Sequence, residues 1–223
     1  MSRQFVVVGL GRLGSAMIAT LASLGYEVLG IDTDEEVVQD LSVEFPNAHL
    51  VAADATEESV LQDLNVGNFD GAAVVIGENM EAGILATANL KEMGVPFVVS
   101  RAVSKLHARV LERLGADRII EPEKDMGAQL ARTMASPGIM DYVDLGGDEA
   151  IIEAEIPEEW VGKSLAQLHL SRRSGLTVLA IKPKGKAGTI PSGDTVFQEG
   201  DVLVVGGNKK NLDRSHLLNP RRK

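Results

Sequence analysis

Three glycines near the amino terminus have the spacing of a loop that binds phosphate. They lie in Gly9-Leu10-Gly11-Arg12-Leu13-Gly14, between an apolar run and a segment with helical periodicity. Gly9 suits a tight turn, Gly11 allows phosphate to approach the backbone, and Gly14 allows the helix to pack on the strand. The first N–H groups of a helix carry a partial positive charge that attracts phosphate. Because the motif also falls in a strand–helix–strand unit, it predicts a nucleotide site.

Two charged residues refine this prediction. Asp32 ends the second apolar run, 18 residues after Gly14. A carboxylate at that point accepts hydrogen bonds from ribose hydroxyls and disfavours the 2′-phosphate of NADP. Arg12 adds a full positive charge that a pyrophosphate held by backbone amides does not need, whereas a third phosphate would use it. Arg12 therefore favours ATP or ADP, and a side chain directed into solvent is the alternative.

Further candidate nucleotide contacts follow the next predicted strands. Asp54-Ala55-Thr56 follows the third strand, Gly77-Glu78-Asn79 the fourth, and Arg101 the fifth. Ligands of open α/β sheets bind outside the carboxyl ends of the strands, so Asp54 could receive the adenine amino group and Arg101 could face phosphate. The alternatives are a helix N-cap at Asp54 or Thr56 and a surface ion pair at Arg101.

The elements that must position these residues form two patterns. Six short apolar runs alternate with helical segments over residues 4–135, at 5–8, 27–31, 49–53, 72–76, 97–99 and 118–120. This alternation predicts an α/β fold, a Rossmann-like doubly wound parallel sheet, over residues 1–138. After Ser136-Pro137-Gly138 the strands predicted at 139–145, 150–156, 176–181 and 202–205 accompany short helices at 163–170 and 211–218. Residues 139–223 therefore predict a second, smaller α+β domain.

Composition excludes several classes of function. The chain has 22 basic and 32 acidic residues, and residues 139–223 hold 12 of each sign, so residues 1–138 carry the whole net charge of −10. Such a chain has no general attraction to nucleic acid. The absence of cysteine excludes a disulfide scaffold and a thiolate metal site. No apolar run has the length of a membrane span, and no signal-peptide pattern is present, so we expect a soluble intracellular protein.

Motifs of catalysis are also missing. The four histidines lack metal-ligand spacing, and the chain has no Tyr-x-x-x-Lys arrangement, no G-x-S-x-G elbow and no P-loop lysine. A nucleotide site without catalytic groups favours binding used as a signal rather than an enzyme. The alternatives are a soluble NAD(H)-dependent oxidoreductase and an NAD(H)-responsive sensor, because Asp32 permits both.

Several of these motifs together resemble one known family. The glycine loop, Asp32, Asp54-Ala55-Thr56 and above all residues 115–127, which end in Glu121-Pro122-Glu123-Lys124-Asp125-Met126-Gly127, are similar to the regulatory subunits of Ktr/Trk potassium uptake systems. Those subunits carry RCK (KTN) domains. Residues 175–182 and 199–206 resemble the C-terminal RCK lobe. The similarity covers nearly the whole chain. The short C-terminal lobe and the single N-terminal domain favour the Ktr type over the Trk type.

The resemblance implies a function and an assembly. It implies homodimers that form an octameric ring on the cytoplasmic face of a membrane-embedded potassium transporter subunit of the KtrB or TrkH kind, where ATP and ADP compete and gate transport. By position, Gly11, Arg12, Asp32 and Asp54 would bind the nucleotide. Glu123 matches a glutamate that helps to hold a divalent or sodium cation beside the ATP phosphates, as suits a hard ion.

Some relatives bind a second ligand, cyclic di-AMP. The C-terminal lobe of those relatives binds cyclic di-AMP through an Asn-x-Arg pattern. The matching segment, residues 168–173, has His169 and Ser171 in those two places, with Arg172 and Arg173 following. This departure from the pattern speaks against cyclic di-AMP binding, and the alternative is that Arg172 or Arg173 substitutes for the missing arginine.

Overall fold

The computed structural model describes residues 3–136, 138–183 and 187–215. The chain divides into two compact units, Met1–Pro122 and Glu123–Lys223. The compact units place residues 123–138 with the second part of the chain, whereas the domains predicted from the sequence place them with the first. The domain boundary after residue 138 stays a prediction.

The first unit is built on one parallel sheet with the strand order β3-β2-β1-β4-β5-β6. Its strands are β1 (Gln4–Val8), β2 (Glu27–Asp32), β3 (His49–Ala52), β4 (Gly71–Val74), β5 (Val98–Arg101) and β6 (Arg118–Ile120). Its helices are α1 (Arg12–Ser23), α2 (Glu35–Glu44), α3 (Glu58–Asp63), α4 (Met80–Glu92) and α5 (Lys105–Arg113). This strand order is that of the Rossmann fold, which confirms the predicted class.

The strands read as continuous apolar runs because both faces of the sheet are covered. In β1, Val6 and Val8 belong to the core on one face, and Val7 belongs to the core on the other. All three side chains are buried. Alternation of polar and apolar residues is expected only where one face of a sheet meets water, so its absence here marks a strand with helices on both sides.

The strand order positions the candidate site. The chain leaves β1 for β2 on one side, and it later returns to pair β4 with the other side of β1. The order of strands therefore reverses between β1 and β4. The helices that follow these two strands diverge to opposite faces of the sheet and leave a crevice at the carboxyl ends, which is where open α/β sheets bind ligands.

Asp117 fastens the far side of this sheet. Its Oδ2 accepts hydrogen bonds from the backbone N–H of Val98, at 2.7 Å, and from Nζ of Lys91, at 2.9 Å. The bond from Lys91 holds the pKa of Asp117 below its ordinary value. Asp117 thus joins α4 and the start of β5 to the turn before β6. Within the motif at residues 115–127, this residue therefore has a structural role.

The second unit contains an antiparallel sheet with the strand order β7-β8-β10-β9. Helix α6 (Pro122–Ala135) leads into it, and its strands are β7 (Ile139–Asp144), β8 (Glu149–Glu155), β9 (Thr177–Lys182) and β10 (Val202–Asn208). The short helices are α7 (Leu165–Leu168), α8 (Leu170–Ser174) and α9 (Lys209–Arg214). The antiparallel sheet with its helices confirms the smaller α+β domain that the sequence predicts for this part of the chain.

Two helices of the second unit differ from the prediction. The helix predicted at 163–170 is broken at His169, whose φ of +48° is left-handed, so that α7 ends and α8 begins at this residue. Leu168 and Leu170 lie on either side of the break, and both are buried. The apolar residues of the sequence therefore give no sign of the break. The helix predicted at 211–218 begins earlier, at Lys209, and residues 216–218 lie outside the described residues.

Candidate nucleotide site

The glycine loop turns between β1 and α1 as the sequence predicts. Gly9 has a φ of +92°, and its N–H donates to the carbonyl of Ile31 at 2.9 Å. A Cβ at Gly9 would lie 2.9 Å from the backbone nitrogen of Ile76. Both the left-handed backbone and this close approach exclude a larger residue, so Gly9 forms the tight turn.

The other two glycines of the loop stand in opposite surroundings. Gly14 is buried, and a Cβ there would overlap the carbonyl oxygen of Gly9. Gly11 is exposed, and no heavy atom of the described residues lies within 4 Å of the position that its Cβ would take. Gly14 therefore serves packing of α1 on the loop, whereas the space beside Gly11 is open to an approaching group.

The amino terminus of α1 presents its partial positive charge at this space. Gly11 is the N-cap residue, and the first turn contains no acidic residue. Among the residues that the structure describes, no side chain caps the helix. The first intrahelical bond runs from Ser15 N–H to the carbonyl of Gly11, at 2.9 Å. Arg12 is exposed at the first helical position, and Leu13 is half-buried behind it. Helix N–H groups together with a guanidinium suit a phosphate or another anion.

Asp32 has a role in the loop that sequence reasoning missed. Its Oδ2 accepts a hydrogen bond from the N–H of Leu10 at 2.6 Å, and its Oδ1 accepts one from the N–H of Asp34 at 3.0 Å. Asp32 thus joins the end of β2 to the glycine loop. A carboxylate offers about four lone-pair sites, so two remain for ribose hydroxyls. The contact was not predictable because it joins residues 22 positions apart.

The side chain of Asp54 forms hydrogen bonds within its own loop and does not cap a helix. Its Oδ1 accepts from the N–H of Thr56 at 2.9 Å and from the Thr56 hydroxyl at 2.7 Å. The N-cap residue of α3 is Glu57, and no side chain in the described part of the chain caps that helix. The alternative of an N-cap at Asp54 or Thr56 is therefore wrong. Asp54 is exposed, while Ala55 between them is buried in the core of the sheet and anchors the loop.

Asn89 is a second residue that sequence reasoning missed. Its Nδ2 donates to the carbonyl of Thr56 at 2.9 Å, across 33 positions of sequence. Asn89 lies within α4, in the last turn before the C-cap residue Met93. Asparagine is unfavourable in a helix interior, because its side chain competes for backbone groups. That unfavourable placement is the signal in the sequence that could have indicated a tertiary contact.

The loop after β4 combines a helix cap with a contact to β5. The Oδ1 of Asn79 accepts from the N–H of Ala82 at 3.0 Å and caps α4. A Cβ at Gly77 would lie 3.4 Å from Nη1 of Arg101, so the guanidinium lies against this glycine. Glu78, which lies between Gly77 and Asn79 in the sequence, is exposed. The structure brings Gly77 and Arg101 together at the edge predicted for the site, and it uses the Asn79 side chain for the helix.

A buried histidine lies between α4 and α5 near the same edge. His107 is 2% exposed, and its Nδ1 accepts from the N–H of Val103 at 3.3 Å. Within the part of the chain that the structure describes, its Nε2 has no hydrogen-bond partner. A Cβ at Gly83 of α4 would lie 3.7 Å from its Cε1. Burial lowers the pKa of His107 and so favours the neutral imidazole.

Glu123 lies apart from these residues in the chain. It occupies the first turn of α6 and is exposed. Over residues 3–136, 138–183 and 187–215, no group of three or more His, Asp or Glu side chains could hold a metal ion. In the same ranges, no helix is both long enough and apolar enough to cross a bilayer.

Family models match both parts of the chain. The TrkA-N domain model matches residues 5–122, and the TrkA-C domain model matches residues 151–215. The fold and its phosphate loop thus define a two-part protein of the TrkA-N and TrkA-C class.

Relatives of similar length make the assignment more specific. The chain is 38% identical to Ktr system potassium uptake protein A of Bacillus subtilis (strain 168), over 96% of this chain and 95% of that protein. It is 35% identical to Ktr system potassium uptake protein C of the same strain, over 96% of each chain. It is 34% identical to the protein A of Vibrio alginolyticus, over 94% of each. The chain belongs to the family of Ktr system potassium uptake proteins, as the resemblance implied.

Solved structures with the same fold are more distant in sequence. The GsuK RCK domain matches with a TM-score of 0.70 at 17% identity, over 98% of this chain and 48% of that one. The GsuK channel bound to NAD matches with a TM-score of 0.70 at 16% identity, over 98% of this chain and 40% of that one. This chain thus spans about half or less of these neighbours, and they establish the fold alone.

Proposed function

We propose that this chain is the nucleotide-binding regulatory subunit of a potassium uptake system, and that it gates a membrane-embedded transporter by alternating between ATP and ADP. The full-length relatives are named for potassium uptake and not for a chemical reaction, which supports regulation without catalysis. A regulator of this kind acts through differential binding, because a ligand shifts a protein between states only by preferring one of them.

One observation carries the proposal. Within the described residues, the glycine loop leaves open space beside Gly11, at a helix terminus with neither a side-chain cap nor an acidic first turn. These features fit the phosphates of a nucleotide. The binding residues proposed are Gly9, Gly11, Arg12, Leu13, Gly14, Asp32, Asp54, Ala55, Thr56, Gly77, Glu78, Asn79 and Arg101.

Arg12 would distinguish the two nucleotides. It begins α1, so its guanidinium can reach phosphates beyond those that the loop N–H groups bind. ATP has a terminal phosphate that ADP lacks, and Arg12 would contact it. A cation held with the help of Glu123 would balance the added negative charge, since carboxylates and phosphates are the oxygen ligands that hard cations prefer. The contact would form with ATP and remain incomplete with ADP.

The proposal includes an assembly. Homodimers would form an octameric ring on the cytoplasmic face of the membrane, against a transporter subunit of the KtrB or TrkH kind. Helix α6 supports self-association, because it has no buried residue in the single chain. Its apolar residues Met126, Leu130 and Met134 are all exposed and recur at every fourth position. Exposed apolar stripes of this sort mark contact surfaces.

A thermal-shift series tests the function. Purified chain would be heated with ATP, ADP, NAD or NADH, each with and without Mg²⁺, because stabilisation follows the affinity of a ligand for the folded state. We expect ATP and ADP to raise the melting temperature most. Stabilisation by none of the four nucleotides would contradict the proposal.

An NAD(H)-responsive protein is the second candidate. It is favoured by the solved neighbour described as bound to NAD and by the carboxylate of Asp32, which suits a ribose without a 2′-phosphate. Stabilisation by NADH above that by ATP in the same series would favour this sensor. Nicotinamide absorbance changing with a panel of small carbonyl compounds would instead indicate an oxidoreductase.

A further inference from the structure

We propose that Asn89 is a positioning residue for the adenine specificity of the site. It acts through Asp54, by holding the loop that carries this carboxylate. The inference deepens the proposed function and rests on it, because it assumes that Asp54 receives the amino group of adenine.

The loop depends on a chain of hydrogen bonds. Asp54 bonds through Oδ1 to both the N–H and the hydroxyl of Thr56. The N–H of Glu57 then donates to the carbonyl of Asp54 at 3.2 Å. These bonds define the shape of the loop but tie it only to itself. The side-chain bond from Asn89 to the carbonyl of Thr56 joins it to α4.

The position of Asn89 makes this bond well suited to fixing the loop. Asn89 and Thr56 are both half-buried, so the bond is shielded from competing water. The neighbouring Ala55 is buried, and its methyl group fixes the other side of the loop in the core. Asp54 is exposed at the end of this anchored segment. A carboxylate with one preset orientation loses less entropy on binding than one on a mobile loop.

The chemistry predicts a particular specificity. A carboxylate accepts a hydrogen bond from the exocyclic amino group of adenine. Guanine presents a carbonyl oxygen at the equivalent ring position, and two acceptors facing each other repel. A preset Asp54 therefore favours ATP over GTP. Loosening the loop lets the carboxylate turn away, which weakens ATP binding and relieves the repulsion of GTP.

The test uses Asn89→Leu, a change of similar size that removes the donor. Affinities of the full chain for ATP, ADP and GTP would be measured by titration calorimetry. We expect the preference for ATP over GTP to fall about threefold to tenfold, the effect of one lost hydrogen bond. The ratio of the ATP and ADP affinities should stay unchanged, because the loop lies on the base side of the nucleotide.

Two further variants separate positioning from general destabilisation. Thr87→Val is the matched control on the same helix, since it removes the buried bonds of the Thr87 hydroxyl to the Gly83 carbonyl and to Ser100 without touching Thr56. It should lower the melting temperature and keep the ATP preference. In a chain that already carries Asp54→Ala, Asn89→Leu should have no further effect on the ATP preference.

The outcomes distinguish this inference from the proposed function. An unchanged ATP preference in Asn89→Leu would overturn the inference while the proposed function stands, and so would an equal loss in the Thr87→Val control. A further loss in the Asp54→Ala background would also overturn it, because Asn89 would then act by another route. Failure of the wild-type chain to bind any adenine nucleotide would instead overturn the proposed function.

Discussion

At the scale of single residues, Arg12 makes the sharpest prediction. Its guanidinium stands at the first position of a helix whose terminus already attracts phosphate. Replacing it by alanine would remove the charged partner proposed for the terminal phosphate and leave the loop N–H groups in place. We expect Arg12→Ala to weaken ATP binding by about tenfold and ADP binding by less, as loss of a charged hydrogen bond implies. Calorimetric titration of both nucleotides measures the ratio. Equal weakening of the two would count against this role.

Gly11 and Gly14 provide a second test at the same scale. A methyl group at Gly14 would overlap the Gly9 carbonyl, whereas one at Gly11 meets open space at an ordinary φ of −64°. Gly14→Ala should therefore lower the free energy of unfolding by about 1–3 kcal/mol, the usual cost of overpacking. Gly11→Ala should keep the stability and lose nucleotide affinity, because its methyl group occupies the space for phosphate. Urea unfolding and nucleotide titration of each variant make the comparison.

At the scale of elements, His107 makes the packing of α4 and α5 dependent on pH. Its pKa in the folded chain lies below its ordinary value of 6.5, because burial disfavours the charged form. The unfolded chain therefore binds the proton more readily. The contribution of His107 to stability is fully present above pH 6.5 and is lost as the pH falls below it. We expect the free energy of unfolding to drop between pH 7.5 and pH 5.5.

A substitution isolates this contribution. In His107→Asn the amide oxygen can still accept from the N–H of Val103, but the side chain does not titrate. The variant should show a smaller drop between the two pH values, measured by urea unfolding. His49→Asn, at an exposed histidine of β3, is the matched control and should keep the wild-type drop. A drop in His107→Asn as large as in the wild type would show that other groups govern the pH dependence.

The elements were largely predictable, and the contacts between them were not. Each of the six parallel strands lies within a few residues of an apolar run, because both faces of the sheet need apolar side chains. The glycine loop was predictable because its backbone geometry admits few residue types. The bonds from Leu10 to Asp32 and from Asn89 to Thr56 join distant positions by polar side chains, which leave no periodic pattern. The break at His169 was hidden because apolar spacing continues across it.

At the scale of the whole molecule, the exposed apolar residues of α6 lead us to expect self-association. Met126 is 54% exposed and Leu130 is 56% exposed, so charged side chains there should cost the single chain little stability. We expect Met126→Lys with Leu130→Lys to lower the mass measured by sedimentation or light scattering. Val43→Lys, at an exposed apolar position of α2, is the control and should leave the mass unchanged. A wild-type mass in the α6 variant would exclude this stripe from the assembly.

In the proposed function, one adenine nucleotide binds at the loop after β1, and ATP and ADP compete for it. The most direct measurement is an equilibrium titration of the purified chain with ATP, repeated in the presence of saturating ADP. We predict one site per chain for ATP alone and a large fall in apparent ATP affinity when ADP is present. Binding of ATP that ADP leaves unchanged, or no binding of either nucleotide, would contradict it.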